Sequence, residues 1–81
     1  MEIIKIKISD CFEEMGVSIA EISKSANLIS DIGLDSLDVI ELLFRIEYSF
    51  NITIPDSDWY SLETIEKIEE YLGQKLLFRN N

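Results

Sequence analysis

Asp31-Ile32-Gly33-Leu34-Asp35-Ser36-Leu37-Asp38 is the stretch on which the reading of this chain turns, since it joins a turn glycine, a helix cap and a hydroxyl. With Asp35 as N-cap, Ser36 becomes the first residue of a helix and Asp38 the third. The Asp35 carboxylate can then accept from backbone N–H groups that have no partner inside the helix. Leu34 stands where a hydrophobic residue staples onto Val39. The helix runs to about Phe50. At about 100° per residue, Val39, Leu42, Leu43, Ile46 and Phe50 share one side, and Leu37, Ile40, Phe44 and Tyr48 lie nearly opposite. Asp38, Glu41, Arg45 and Ser49 occupy one flank, with Glu41 and Arg45 spaced for an i,i+4 ion pair. One apolar stripe has to serve a core. The other begins beside Ser36 and is bordered by acids, so it is either a second buried face or a docking surface.

Composition sets the bounds around this helix. A length of 81 residues implies one domain over 1–81, with a modest core built from a 47% hydrophobic sequence. Sixteen acids against seven bases give a net charge of −9, with no histidine. Such a chain is not expected to bind nucleic acid, whose phosphates need Lys and Arg, and its field would steer in proteins with basic patches. Cys11 is the only cysteine. With no second cysteine and no histidine, it reads as a small buried apolar residue rather than a metal or redox group. The N-terminus lacks the apolar run and cleavage site of a signal peptide, and no stretch approaches the ~20 apolar residues of a membrane helix. The expectation is a cytoplasmic monomer with no membrane association.

The remaining elements follow from spacing and punctuation. Ile4, Ile6 and Ile8 alternate as a strand would, but Ile4, Ile8, Cys11 and Met15 follow helical spacing further, and Gly16 offers a stop, so residues 3–15 are read as a helix. Residues 17–34 form a long connection whose Ile19, Ile22, Leu28 and Ile32 suggest that it is pinned over the core, with a helical turn around Ile19–Ser23. Pro55 makes residues 51–55 extended. A short third helix begins at Asp56 and covers residues 56–61, with Trp59 and Tyr60 in it. A last helix starts near Ser61–Thr64 and carries Leu62, Ile65, Ile68, Tyr71 and Leu72, with Gly73 as its end. Leu76, Leu77 and Phe78 are then an apolar tail, assigned to packing on the first helix. The fold class is all-α: a small four-helix bundle of three longer helices and a short third one.

Several chemistries could use Ser36. A hydrolase triad needs a base that this histidine-free chain lacks, and the G-x-S-x-G elbow is missing. A calcium loop counted from Asp31 has glycine third rather than sixth and Leu42 where Glu is required, so no metal site is assigned. Modification remains: a helix N-terminus favours an anion on a first-turn hydroxyl, and Gly33 lets another backbone or a bulky group come close. A serine at a helix start also occurs with no further duty.

The residues from Asp31 to Leu42, followed by Phe50-Asn51-Ile52-Thr53-Ile54-Pro55-Asp56, resemble the acyl carrier proteins. The resemblance is close over the loop, the second helix and the next turn, and loose over the first and last helices. It implies that Ser36, supported by Asp35 and Gly33, carries 4′-phosphopantetheine transferred from coenzyme A by a phosphopantetheinyl transferase, with acyl groups held as thioesters. It also implies partner contacts through Leu37, Asp38, Ile40, Glu41, Phe44, Arg45 and Tyr48, made with acyl-transferring, condensing and reducing enzymes that have basic docking patches. Leu43, Ile46, Phe50, Ile54, Trp59 and Leu62 become candidates for an acyl pocket between the second and third helices. Arg45, Tyr48 and the paired rings Trp59 and Tyr60 depart from the family's usual residues. Trp59 is read first as core filling; placed in the acyl cavity instead, it would leave long saturated chains poorly accommodated. The expected function is a stand-alone acyl carrier, not an enzyme, in fatty-acid or polyketide-type biosynthesis. The alternatives are an aminoacyl or peptidyl carrier loaded by an adenylating enzyme and, from another class, an unmodified acidic helical adaptor.

Overall fold

Ile4, Ile8, Cys11 and Phe12 recur at spacings of three and four residues, which on a helix brings them to one face. In the computed structural model, which describes residues 2–77, they are the buried face of α1 (Glu2–Glu14). The helical reading of this segment therefore holds over the strand alternative. The helix ends where Gly16 takes φ +84°, a left-handed conformation, and Val17 donates back to the Phe12 carbonyl at 2.9 Å.

Helix α2 (Ser36–Phe50) has the bounds that cap and periodicity imply. Leu42, Leu43, Ile46 and Phe50 are buried against α1 and the rest of the core, each contributing about 1.5–3 kcal/mol of burial. Asn51 closes it at φ +56°, and Ile52 donates to the Glu47 carbonyl at 3.1 Å. The Lys7 ammonium also reaches the Ser49 carbonyl at 3.1 Å and lies 5.5 Å from the Phe50 ring centroid, tying α1 to the end of α2.

Helix α3 (Asp56–Trp59) follows Pro55, whose φ of −60° and ψ of 147° keep the entry extended. It is shorter than the sequence suggests, because Tyr60 and Ser61 form a turn rather than a further helical residue pair. Helix α4 (Ile65–Leu77) begins when the Thr64 hydroxyl oxygen accepts from the Lys67 N–H at 3.1 Å. Gly73 does not end it. Glycine in a helix interior costs about 1 kcal/mol relative to alanine, and buried Leu72 with half-buried Leu76 on the core side outweighs that cost. Leu77 is exposed rather than packed on α1, and Phe78 lies outside the described residues.

The connection between α1 and α2 is held by backbone bonds to the segment before α4 and to the first turn of α4. Leu28 donates to the Glu63 carbonyl at 2.8 Å and Glu66 to the Lys24 carbonyl at 2.9 Å, while Asn27 and Thr64 form an isolated antiparallel bridge. Leu28 and Leu34 are buried, and Ile19, Ile22 and Ile32 pack partly onto the core, so this connection is pinned down as its apolar residues imply. The turn near Ile19 is a single bond from the Ile22 N–H to the Ile19 carbonyl at 3.1 Å and not a helix. Among the described residues the architecture is all-helical, with four helices and no polar or charged residue buried.

Candidate functional site

The loop that delivers Ser36 is built from side-chain-to-backbone bonds. The Asn27 side-chain oxygen accepts from the N–H groups of Ile29 and Ser30 at 2.9 and 3.0 Å, an Asx-type turn. Asp31 accepts from the Asn27 N–H at 2.8 Å, so its carboxylate holds the loop together. Gly33 takes φ +97°, and Leu34 returns to the core by donating to the Leu28 carbonyl at 3.0 Å. At the start of α2, Asp35 accepts from the Asp38 N–H at 2.8 Å while Asp38 accepts from the Asp35 N–H at 3.1 Å. This is the reciprocal capping box, with aspartate in both positions.

Ser36 is therefore the first residue of a helix whose start is fixed from both sides. It is exposed, and its hydroxyl has no hydrogen-bond partner among the described residues. The unpaired N–H groups of the first turn give that end of α2 a partial positive charge. A side-chain carbon built on Gly33 would meet nothing within 4 Å, so it is the positive φ, and not crowding, that favours glycine there. A serine placed this way can bear a bulky anionic substituent without disturbing the core.

The exposed stripe on α2 is present as periodicity implies. Leu37 is 76% exposed, Phe44 55% and Tyr48 91%, with Ile40 half-buried between them. The flank beside it is not a row of free charges. Arg45 donates to one Glu41 carboxylate oxygen through Nε at 3.0 Å and Nη2 at 2.7 Å, and to Glu14 on α1 through Nη1 at 2.9 Å. Those two acceptors, Glu41 first, raise the Arg45 pKa above its ordinary value. The third α2 carboxylate, Glu47, accepts from the Ile54 N–H at 2.6 Å.

Next to the N-terminal half of α2 lies an apolar cleft of about 280 Å³, lined chiefly by Leu28, Ile29, Val39, Trp59, Tyr60 and Leu62. The Trp59 indole N–H donates to the Ile54 carbonyl at 3.0 Å, and its ring meets Phe44 edge to face at 5.9 Å between centroids. Of the six candidate pocket residues, Trp59 and Leu62 line this cleft, whereas Leu43, Ile46, Phe50 and Ile54 are sealed in the core. Sequence reading left Val39 in the core stripe and gave Ile29 and Glu47 no role. The chain distance between residues 27–29 and 59–63 hides the cleft from any periodicity. Burial pushes the Cys11 thiol up, with Glu14 adding to the effect, which suits an inert core residue.

Residues 7–72 match the family model described as the phosphopantetheine attachment site. The acyl carrier protein of Syntrophobacter fumaroxidans is 39% identical over 71 residues, covering 86% of this chain and 88% of that protein. The chain belongs to the acyl carrier protein family. Two further acyl carrier proteins are similar: that of Guillardia theta, 38% identical over 79% of each chain, and that of Bdellovibrio bacteriovorus, 37% identical over 85% of this chain and 90% of its own. Acyl carrier proteins are carriers rather than enzymes, and the prosthetic group that goes with the family is covalently attached 4′-phosphopantetheine. Membership of the family also implies dealings with a phosphopantetheinyl transferase and with biosynthetic enzymes. No helix among the described residues is long and apolar enough to cross a membrane.

Proposed function

We propose that residues 1–81 form one carrier domain, a cytoplasmic monomer that holds acyl groups on 4′-phosphopantetheine attached at Ser36, in fatty-acid or polyketide-type biosynthesis. The observation that carries the proposal is the Ser36 hydroxyl, exposed at the first position of α2 and free of hydrogen bonds among the described residues. Asp35 and Asp38 hold the helix start in place around it, and Gly33 supplies the left-handed turn two residues before the cap. When bound, the group supplies a flexible arm ending in a thiol, to which an acyl cargo is joined as a thioester. The Ser36 oxygen would take the phosphopantetheine phosphorus as the pyrophosphate bond of coenzyme A breaks and adenosine 3′,5′-bisphosphate leaves. The chain has no histidine and no described side chain bonds that hydroxyl, so its proton is assigned to a base on the visiting transferase.

The partner face in this reading is Leu37, Asp38, Ile40, Glu41, Phe44, Arg45 and Tyr48. A carrier has to leave each enzyme quickly, and a small exposed apolar centre gives modest affinity while charge mainly sets the encounter rate. The cleft beside Trp59 is the shelter for cargo. Its volume exceeds the ~150 Å³ that accepts a benzene-sized guest, and the sealed core behind it keeps a chain near the surface, which favours short cargo.

The test is intact mass after incubation with coenzyme A and a phosphopantetheinyl transferase. One phosphopantetheine is expected on the wild-type chain and none on Ser36→Ala; an unmodified wild type would favour the adaptor reading. Whether the modified chain is then loaded by a malonyl transferase or by an adenylating enzyme separates acyl from aminoacyl cargo.

A further inference from the structure

Each acid of α2 has a partner inside the protein, but only Glu41 has a positively charged one; Asp38 and Glu47 bond neutral backbone N–H groups and keep their charge. Asp38 is in the capping box, Glu47 holds the Ile54 N–H, and Glu41 shares Arg45 with Glu14. The Arg45 pairs matter most, because they lie midway along the exposed stripe, between the Ser36 end and Tyr48. Arg45, Glu14 and Glu41, with Phe44 and Tyr48, line one shallow hollow on this face. Two carboxylates that would attract a visiting basic side chain there already have a guanidinium between them, at 2.7 and 2.9 Å. Arginine suits this position because its planar fork serves both acids at once and stays charged at any working pH.

We infer that Arg45 is a specificity-determining residue: it withholds Glu14 and Glu41 from the basic groups of visiting proteins and leaves an apolar docking centre of Leu37, Phe44 and Tyr48. This rests on the carrier reading of Ser36 and names the partner that the same face selects. That partner is a protein whose bases are confined to the Ser36 end, opposite Asp35 and Asp38, and which offers an apolar hollow to Phe44 and Tyr48. A partner with a Lys or Arg further along would meet Arg45, where like charges repel and no acid is free. The apolar half rests on exposure: Tyr48 is almost fully exposed, and Phe44 keeps more than half of its surface open although one edge contact with Trp59 covers part of it.

The experiment measures the rate of phosphopantetheine addition to Ser36 by a transferase with a basic docking surface, at low carrier concentration and a series of salt concentrations. Arg45→Gln frees both acids, so its rate should exceed wild type about threefold near 20 mM salt and converge with it near 0.5 M, where charges beyond a few ångströms are screened. Glu14→Gln loosens the same tie between α1 and α2 but removes an acid, so it should give no gain. Tyr48→Ala should slow the reaction by a similar factor at every salt concentration. Equal rates for wild type and Arg45→Gln, a gain that survives high salt, an equal gain in Glu14→Gln, or an unaffected Tyr48→Ala would each overturn the inference while leaving the carrier reading intact. Absence of any mass addition to the wild-type chain would overturn both.

Discussion

The Tyr71 hydroxyl on α4 donates to the Asp58 carboxylate on α3 at 2.7 Å, so a four-residue helix with no buried residue of its own is fastened to a thirteen-residue one. A helix this short has no stability of its own and depends on such ties. Trp59 supplies the second, through Ile54 and Phe44. Because α3 carries the outer wall of the cleft, these two side chains set its shape.

Tyr71→Phe should destabilise the fold by about 1.5 kcal/mol, the usual range for a bond to a charged acceptor. The Tyr71 hydroxyl is pushed up to about 12, first by burial and then by the neighbouring Asp58 carboxylate. A raised pKa in the folded state means that this contribution is complete below pH ~10, the unfolded value, and is lost as the pH climbs through about 12. Melting temperature followed from pH 8 to 12 should fall less steeply in Tyr71→Phe than in wild type.

Asp35→Ala should cost about 1 kcal/mol by removing the cap on α2, and Asp35→Asn should recover most of it, since an amide oxygen also accepts from the Asp38 N–H. Denaturant midpoints would check this. Equal loss in both variants would mean that the charge, and not the bond, holds the helix start.

Trp59 is the only tryptophan, and it borders the cleft, so its fluorescence reports on what the cleft contains. Loading a short acyl group should shift its emission towards shorter wavelength as the ring loses water, and Tyr60→Ala should leave the shift in place. An emission spectrum identical with and without cargo would show that cargo stays outside.

The net charge of −9 on a small body makes self-repulsion a cost of folding. Melting temperature should rise by several degrees between low salt and ~0.5 M, where the Debye length is only a few ångströms. Arg45→Gln should show a steeper rise than wild type, because it leaves Glu14 and Glu41 facing each other without their shared cation.

Helix α2 was legible because what starts and orients it is local, the Asp35 cap and the two stripes at helical period; the left-handed turn at Asn51 that closes it was not, since residues 51–55 read as extended. The Glu41–Arg45 pair was legible for the same reason, being one helical turn apart. The end of α4 was misjudged because Gly73 is a weak stop, which the packing of Leu72 and Leu76 overrides. Arg45 could be read from sequence as an unusual base on a docking face, but Glu14, its second partner, lies 31 positions earlier on another helix. No spacing rule reaches that far.

The sequence by itself determined that a serine begins a capped helix, that one stripe of that helix serves the core, and that a second apolar stripe accompanies the serine. Those features depend on bonds and periods within a few residues. Only the tertiary structure decided that the second stripe is exposed, that its acids are already engaged, and that a cleft opens between Val39 and Trp59. Burial, ion pairing across helices and cavities depend on which distant segments meet, and here that is settled by the core around Leu42, Leu43 and Ile46 drawing α1, α4 and the long connection together.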